Sequence, residues 1–330
     1  MIPTLGCDGD ARQPVRLPLV IDTDPGIDDV VTLALAARSP SLDIVAVTTT
    51  YGNAPLDATT RNAREVLRLA GRSDIPVWPG CDRPLVRSPT TAPQVHGITG
   101  VGHAPVPSPS PADGTPNDRV LLDILSRCPE PVILVTLGPL TNLARALDED
   151  CDVVQSRICQ HIGMFGSLTE RGSVDRWADF NAWCDPEAVD HVLRAGMNTH
   201  MVGLDVTRRM VLSRSDVSAL ASSSDALVMW LGQALRFSVA AHAERLPLNG
   251  CIVNDVLTVG ELLSPGMLKF VAHRLRVDPG DGEHRGHTRA DSNGFPTLVA
   301  VEVDTDRMRT TLARVLGNDG LAQWIVGGSR

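Results

Sequence analysis

The sequence predicts an α/β fold, in which an open, mostly parallel sheet is flanked by helices in a Rossmann-like arrangement. Apolar strand-like runs alternate with helical patterns along the chain, and these runs are nearly continuous, as in strands buried on both faces. No internal repeat or linker divides the sequence. Ligands in such folds bind beyond the carboxyl ends of the strands, so the residues that follow each apolar run are the candidates for a site.

Each predicted element follows from its local pattern. In the first two thirds, the predicted strands are 17–22, 42–50, 131–138, 160–166 and 200–206, and the predicted helices are 25–38, 56–70, 140–147 and 185–194. The C-terminal third predicts helices at 216–222, 225–243, 254–263 and 305–316, and strands at 268–276 and 297–303. Pro25 suits the first turn of a helix and Gly71 ends the second helix. Residues 79–119, rich in Pro, Gly and Ser, predict a long excursion of the kind that often forms a lid.

The composition narrows the class of protein. The 330 residues are 43% apolar and 21% charged, and the formal charge of −9 with no basic run argues against a nucleic acid partner. The chain shows no long apolar stretch for a membrane span, no signal peptide, and seven scattered cysteines without a CxxC pair, as in reduced proteins. We therefore expect a cytoplasmic protein with a flexible tail at 1–17 and one domain at 18–330.

The first predicted strand is followed by an unusual density of carboxylates. Asp22, Asp24, Asp28 and Asp29 fall within eight positions, where the apolar run ends and the first helix begins. Helix capping accounts for one or two of them, not four. Carboxylates so close together repel one another and take up protons unless a cation compensates. Oxygen ligands without clustered His or Cys predict a hard ion, Ca²⁺ or Mg²⁺.

The segment "DTDPGIDD" (22–29) resembles the N-terminal signature of the nucleoside hydrolases, the inosine-uridine preferring ribohydrolase family. Further segments agree in order: "TTTYGN" (48–53), "VHGITGVG" (95–102), "LVTLGPLTNLARAL" (134–147), "DFNAWCDPEAV" (179–189), "NDVLTVG" (254–260) and "HRGHTRADSNG" (284–294). The resemblance implies a single-domain nucleoside-hydrolase fold, one Ca²⁺ per subunit and a homodimer or homotetramer. It also implies calcium-dependent hydrolysis of the N-glycosidic bond of ribonucleosides, which yields free base and ribose.

The resemblance assigns a role to each matching position. Asp24, Asp29, Asp255 and the main-chain carbonyl of Leu137 are the implied calcium ligands, and Asp24 also takes a proton from the attacking water. The positions matched to substrate binding are Asp28, Asn53, Met164, Asp179, Asn181 and the loop residue His96, for which we expect a structural or gating role.

Three departures from the family pattern bear on the substrate. Asn254 stands where the best-known members have a histidine that can protonate the departing base, and an amide cannot act as an acid. His242, on the preceding helix, is the candidate replacement, although it also fits a partly exposed helix residue. Asp179 stands where many members have glutamate, and 167–179 lacks the expected sugar-binding asparagine.

Two alternatives to an ordinary nucleoside hydrolase therefore stay open, and a third is disfavoured. The chain could be a nucleoside- or ribose-binding protein that has lost turnover, because Asn254 removes the acid. It could instead hydrolyse a modified nucleoside whose base leaves without help. A haloacid-dehalogenase-type phosphatase also begins with a strand and a DxD pair, here Asp22 and Asp24, with Thr136 in its second motif, but the sole lysine, Lys269, is far along the chain.

Overall fold

The computed structural model describes residues 17–109 and 114–317. The predicted tail at 1–17, apart from the backbone of Leu17, lies outside the described residues, as do residues 318–330 of the predicted domain. Within the described ranges, no helix is both long and apolar enough to cross a membrane.

The described strands and helices alternate through most of the chain. The strands are β1 (Leu17–Thr23), β2 (Leu42–Thr49), β3 (Val77–Pro79), β4 (Val132–Thr136), β5 (Ile158–Gly163), β6 (Thr199–Met201), β7 (Val211–Ser213), β8 (Gly250–Ile252), β9 (Leu268–Val277), β10 (Thr288–Ala290) and β11 (Phe295–Val303). The helices are α1 (Ile27–Arg38), α2 (Leu56–Leu69), α3 (Pro93–His96), α4 (Val120–Arg127), α5 (Thr141–Arg157), α6 (Phe180–Cys184), α7 (Pro186–Arg194), α8 (Leu204–Thr207), α9 (Arg214–Ala221), α10 (Ala226–Arg245), α11 (Val256–Leu263) and α12 (Thr305–Leu316).

Nine strands form one sheet in the order β3-β2-β1-β4-β5-β6-β11-β9-β10. All pairings from β3 to β11 are parallel, while β9 is antiparallel to both of its neighbours. The predicted open, mostly parallel sheet is therefore confirmed. From β1 the chain continues to β2 and β3 on one side of the sheet, and from β4 it continues to β5 and β6 on the other side. The gap between the carboxyl ends of β1 and β4 is therefore the topological switch point, where α/β folds bind ligands.

The central strands alternate between two apolar clusters, one on each face of the sheet. Leu19 and Ile21 of β1 pack into one cluster, and Val20 packs into the other. Helix α1 is buried along nearly its whole length because β2 lies on one side and α2, α10, α11 and α12 pack around it. This burial fixes the N-terminus of α1, and therefore its acidic first turn, against the switch point.

Some predicted boundaries were wrong. The predicted strand 200–206 ends at Met201, and its second half is helix α8, because a short apolar run has the same pattern in a strand and in a buried helix. The predicted helix 140–147 continues to Arg157 across a kink at Asp150, where acidic residues replace the apolar periodicity. The excursion 79–119 contains the short helix α3 in its described part.

Candidate active site

The site lies where the carboxyl ends of β1, β2 and β4 meet. Asp24 follows β1, Asn53 follows β2 and Leu137 follows β4, while Asp255 reaches the same place from the turn before α11. Asp24, Asp29 and Asp255 are at most 3% exposed. We call Asp24, Asp28, Asp29, Asn53, Leu137 and Asp255 the floor of the site.

The carboxylate of Asp24 lies in a cradle made by two glycines. A Cβ atom on Gly52 would lie 2.0 Å from Asp24 Oδ2, and one on Gly138 would lie 2.6 Å from Oδ1. The backbone N–H of Asn53 donates to Oδ2 at 2.7 Å. The other oxygen, Oδ1, is buried and has no hydrogen-bond partner among the described residues. An orphaned carboxylate oxygen in a buried site is typical of a position that binds a cation.

Three more carboxylates converge beside Asp24. One oxygen atom from each of Asp28, Asp29 and Asp255 lies within 4.8 Å of the others. Asp29 is held by three donors: Thr23 Oγ1 at 2.6 Å, the backbone N–H of Gly26 at 3.0 Å, and Asn53 Nδ2 at 2.8 Å. All three donors are uncharged, so they do not neutralise the negative charge of the carboxylates. These positions suit a hard, oxygen-preferring cation.

Without a cation, burial and mutual repulsion disfavour the charged form of these carboxyl groups. Burial raises the pKa of Asp24 well above its usual range, and the charge of Asp29 raises it further. Burial and the charges of Asp28 and Asp29 likewise raise the pKa of Asp255 well above the usual range. Burial also raises the pKa of Asp29. A bound divalent cation would restore the charged form of all three carboxyl groups.

A cleft of about 560 Å³ opens above the floor. All six predicted substrate-binding residues line it, namely Asp28, Asn53, His96, Met164, Asp179 and Asn181. Leu137, Asp255, Asn254 and His242 line it as well, so the fold brings almost every predicted site residue to one cavity. Asp24 and Asp29 lie beneath its surface. The roles of these residues stay predictions, because position alone does not test them.

Asn254 is fixed in one orientation by its neighbours. Its Nδ2 donates to Asp28 Oδ2 at 2.9 Å, and Thr207 Oγ1 donates to its Oδ1 at 3.0 Å. This orientation directs the amide donor toward the Asp28 carboxylate and the amide acceptor toward the Thr207 hydroxyl. Asn254 therefore links the acidic first turn of α1 to α8. Thr207 has no signal in the sequence that distinguishes it from an ordinary core threonine.

Two histidines line the cleft, and the Nδ1 atom accepts a hydrogen bond in one of them and donates one in the other. His96 Nδ1 accepts from the backbone N–H of Ile27 at 3.0 Å, and burial lowers the pKa of His96, so its ring is neutral and holds the loop against the start of α1. His242 Nδ1 lies 2.8 Å from the carbonyl oxygen of Ser238 and must donate to it. His242 can therefore donate from Nε2 only when its ring is protonated.

The wall formed by 164–181 is built around Asp179, the N-cap of α6. Its carboxylate accepts from the backbone N–H groups of Gly166, Asn181 and Ala182, at 2.6 to 3.1 Å. Asn181 Nδ2 donates to the carbonyl oxygens of Leu137 and Met164, at 2.6 and 2.9 Å. Sequence reasoning missed this capping arrangement. The Asp-Phe-Asn start of a helix is its sole local signal, and Asp is a common N-cap.

The phosphatase alternative finds no support in this geometry. Lys269 lies on β9, and its Nζ donates to Glu302 on β11 at 2.6 Å. Both side chains are largely exposed, at 61% and 62%. Three strands separate β9 from β4, which carries Thr136, so the lysine cannot neutralise a phosphate at the switch point.

Fold and site together define an α/β protein with a buried acidic centre for a cation under a cleft for a small polar ligand. The sequence profile described as inosine-uridine preferring nucleoside hydrolase matches residues 19–310, and the chain belongs to this family. The chain is a ribonucleoside hydrolase, an enzyme that cleaves N-glycosidic bonds.

The relatives span nearly the whole chain. The pyrimidine-specific ribonucleoside hydrolase RihA of Photobacterium profundum is 34% identical, over 91% of this chain and 99% of that protein. The non-specific ribonucleoside hydrolase RihC of Escherichia coli is 34% identical, over 88% of this chain and 95% of that protein. Among solved structures, a plant nucleoside hydrolase, the PpNRh1 enzyme, superposes with a TM-score of 0.85 at 31% identity, over 91% of this chain and 99% of that one.

Proposed function

We propose that this ribonucleoside hydrolase is calcium-dependent and uses Asp24 as the general base that activates a water molecule for attack on C1′ of ribose. The observation that carries the proposal is the convergence of one carboxylate oxygen each from Asp28, Asp29 and Asp255, together with the buried Asp24 carboxylate, one of whose oxygens has no hydrogen-bond partner among the described residues. A mere binding site for a neutral nucleoside has no evident use for that much buried negative charge.

The donor set fits calcium. Asp24, Asp29, Asp255 and the carbonyl oxygen of Leu137 would hold the ion, since all are hard oxygen ligands on separate, rigid elements. The Leu137 carbonyl already accepts from Asn181, and a carbonyl oxygen has a second lone pair for a metal. When bound, Ca²⁺ supplies positive charge that lowers the pKa of a nearby water molecule.

Asp24 is suited to take the proton of that water. The N–H of Asn53 holds Oδ2, and Gly52 and Gly138 pack against the carboxylate. The side chain is therefore held in one orientation, in which Oδ1 can accept a proton. A general base at hydrogen-bond distance typically contributes on the order of 10²–10⁴ in rate. The water oxygen then bonds to C1′, the C1′–N bond breaks, and free base and ribose result.

Asp28 would hold the ribose hydroxyls. Its Oδ2 accepts from Asn254, while Oδ1 lies 3.9 Å from His96 Nδ1, too far for a hydrogen bond, and remains available to a ligand in the cleft. The surrounding carboxylates stabilise the positive charge that develops on the sugar ring. A substrate without the 2′-hydroxyl should therefore lose both binding and rate.

The leaving base receives no proton from Asn254. The amide can donate a hydrogen bond from Nδ2, and protonated His242 is the candidate acid at the same cleft. We propose that bases needing little protonation, including those of modified nucleosides, are the preferred leaving groups. The relatives include pyrimidine-specific and non-specific ribonucleoside hydrolases, so both base classes belong in the test.

The test combines metal removal with a substrate screen. Chelation should abolish release of reducing sugar from ribonucleosides, and Ca²⁺ should restore it, with binding followed by calorimetry. The screen should contain purine and pyrimidine ribonucleosides, nicotinamide riboside and p-nitrophenyl riboside, whose leaving group needs no proton. Full activity in chelator would contradict the proposed calcium dependence. Calcium binding without cleavage of p-nitrophenyl riboside would instead favour a protein that has lost turnover.

We also propose that residues 18–330 form one domain and that the enzyme is a homodimer or homotetramer, as its family resemblance implies. Light scattering on the purified chain distinguishes these assemblies from a monomer, and a monomer at working concentration would contradict the proposal.

A further inference from the structure

Three arginine residues line the cleft. Arg171 belongs to the loop that precedes Asp179, Arg208 follows α8, and Arg245 ends α10; Arg171 and Arg245 are exposed. Ribose and the common bases of ribonucleosides are uncharged. Three cations around a cleft for such a ligand therefore require an explanation.

The acidic residues that line the same cleft are already engaged. Asp28 accepts from Asn254, Asp175 accepts from the backbone N–H groups of Trp177 and Ala178, and Asp179 caps α6. Asp255 belongs to the buried acidic cluster of the floor. None of these carboxylates forms an ion pair with the arginines in the described part of the chain.

The arginines differ in how far they are satisfied. Arg208 Nη2 donates to the carbonyl oxygen of Gly172 at 2.9 Å, and Nη1 lies 3.6 Å from Glu170. Burial lowers the pKa of Arg208, the charge of Glu170 opposes that shift, and the charge of Arg171 adds to it. Within residues 17–109 and 114–317, neither Arg171 nor Arg245 has an ion-pair partner or a side-chain hydrogen bond. Two of the three arginines that line the cleft therefore have no ion-pair partner among the described residues, and the third is partly paired.

We propose that Arg171, Arg208 and Arg245 form an anion subsite, and that the preferred substrate is a ribonucleoside that carries an anionic group. Guanidinium groups bind phosphate and carboxylate through paired, charge-assisted hydrogen bonds, and cations at a cleft opening also attract an anionic ligand from solution. The inference rests on the proposed function, because it places the anion on a molecule whose ribose lies over the acidic floor.

Two sources of the negative charge share this chemistry. A 5′-phosphate would be released as ribose 5-phosphate with the free base, whereas a carboxylate on the base would leave with the base. In both cases water adds to C1′ as the C1′–N bond breaks, so no further reactant is needed.

The experiment compares kcat/KM for uridine and inosine, their 5′-monophosphates, and orotidine, which carries a carboxylate on its base. We expect one anionic class to exceed the neutral nucleosides, and the class that does so identifies the source. The double variant Arg171→Gln, Arg245→Gln should lower kcat/KM for that class about tenfold relative to its neutral counterpart, the effect of losing a charged hydrogen bond. Added salt should lower the same ratio. Arg236→Gln is the matched control, since Arg236 is exposed on α10 and does not line the cleft.

The outcomes separate this inference from the proposed function. Cleavage of neutral nucleosides at or above the rate of every anionic one, or an equal effect of the double variant on both classes, would overturn the anion subsite alone. If no compound is cleaved, calorimetry with Ca²⁺ present still decides the matter. Tighter binding of uridine 5′-monophosphate or orotidine than of uridine, lost in the double variant, supports the subsite, and equal binding overturns it.

Discussion

The floor and the walls of the cleft differ in how they are built. The floor comes from strand ends and the first turn of α1, and its carboxylates are buried and held by short hydrogen bonds. The walls come from the loop at 167–179, the end of α10 and Asn254, and many of their side chains are partly or fully exposed. Under the proposed function, the floor would set the reaction, while the walls would select the substrate and assist the departure of the base.

The largest effect should follow from a change in the floor. Asp24→Asn keeps the shape of the side chain but removes the base, so kcat should fall by at least roughly 10²–10⁴ while calcium still binds in part. Steady-state kinetics and calcium calorimetry measure the two effects. Asp43→Asn, at an exposed position on β2, is the matched control and should change neither. Unchanged turnover in Asp24→Asn would remove Asp24 from its assigned role.

A change in the wall should have a smaller and substrate-dependent effect. Asn254→His introduces a group that can carry a proton to the leaving base, so cleavage of nucleosides with poor leaving groups should rise about tenfold or more. Cleavage of p-nitrophenyl riboside should not rise, because that leaving group departs without a proton. Equal effects on both substrates would mean that the substitution acts through Asp28 instead. No effect on either would place protonation elsewhere, and His242→Ala would then test the other candidate.

The next effect concerns the orientation of Asn254. Thr207→Val preserves the shape of the side chain but removes the hydroxyl that donates to Asn254 Oδ1 at 3.0 Å. Leaving a buried acceptor without its donor costs about 1–3 kcal/mol; Asn254 is only partly buried, so a smaller loss should appear, as a severalfold fall in kcat/KM. Thr207→Ser retains the hydroxyl and should retain most of the activity. If the Ser and Val variants are equally impaired, the methyl group of Thr207 matters and the hydrogen bond does not.

The same contrast explains what the sequence could predict. Asp24, Asp28 and Asp29 lie in one segment, where strand end and helix start fix their relative positions, so the acidic cluster follows from local pattern. Asp255 could be added through the family resemblance, and the structure places it beside Asp28 and Asp29. The wall depends on contacts between distant segments, such as Thr207 with Asn254, and on the direction of side chains in an irregular loop. Neither has a periodic signal in the sequence.

The smallest effect on the reaction, and the clearest on stability, should come from His161 beneath the floor. His161 is fully buried on β5, its Nε2 lies 2.9 Å from Thr136 Oγ1, and burial lowers its pKa to about 3. The unfolded chain takes up this proton near pH 6.5, whereas the folded chain does not until near pH 3. Between these values the unfolded state binds more protons, so the free energy of unfolding falls as the pH falls.

The loss due to His161 should reach a few kcal/mol at the acid end of this window, by order of magnitude. His161→Gln keeps a donor and an acceptor but cannot titrate, so its melting temperature should depend less on pH between 6.5 and 4 than that of the native chain. The matched change at exposed His103 should leave the slope as it is. If the melting temperatures of the native chain and His161→Gln depend on pH in the same way, the pKa of His161 is not lowered in the folded chain and this prediction is wrong.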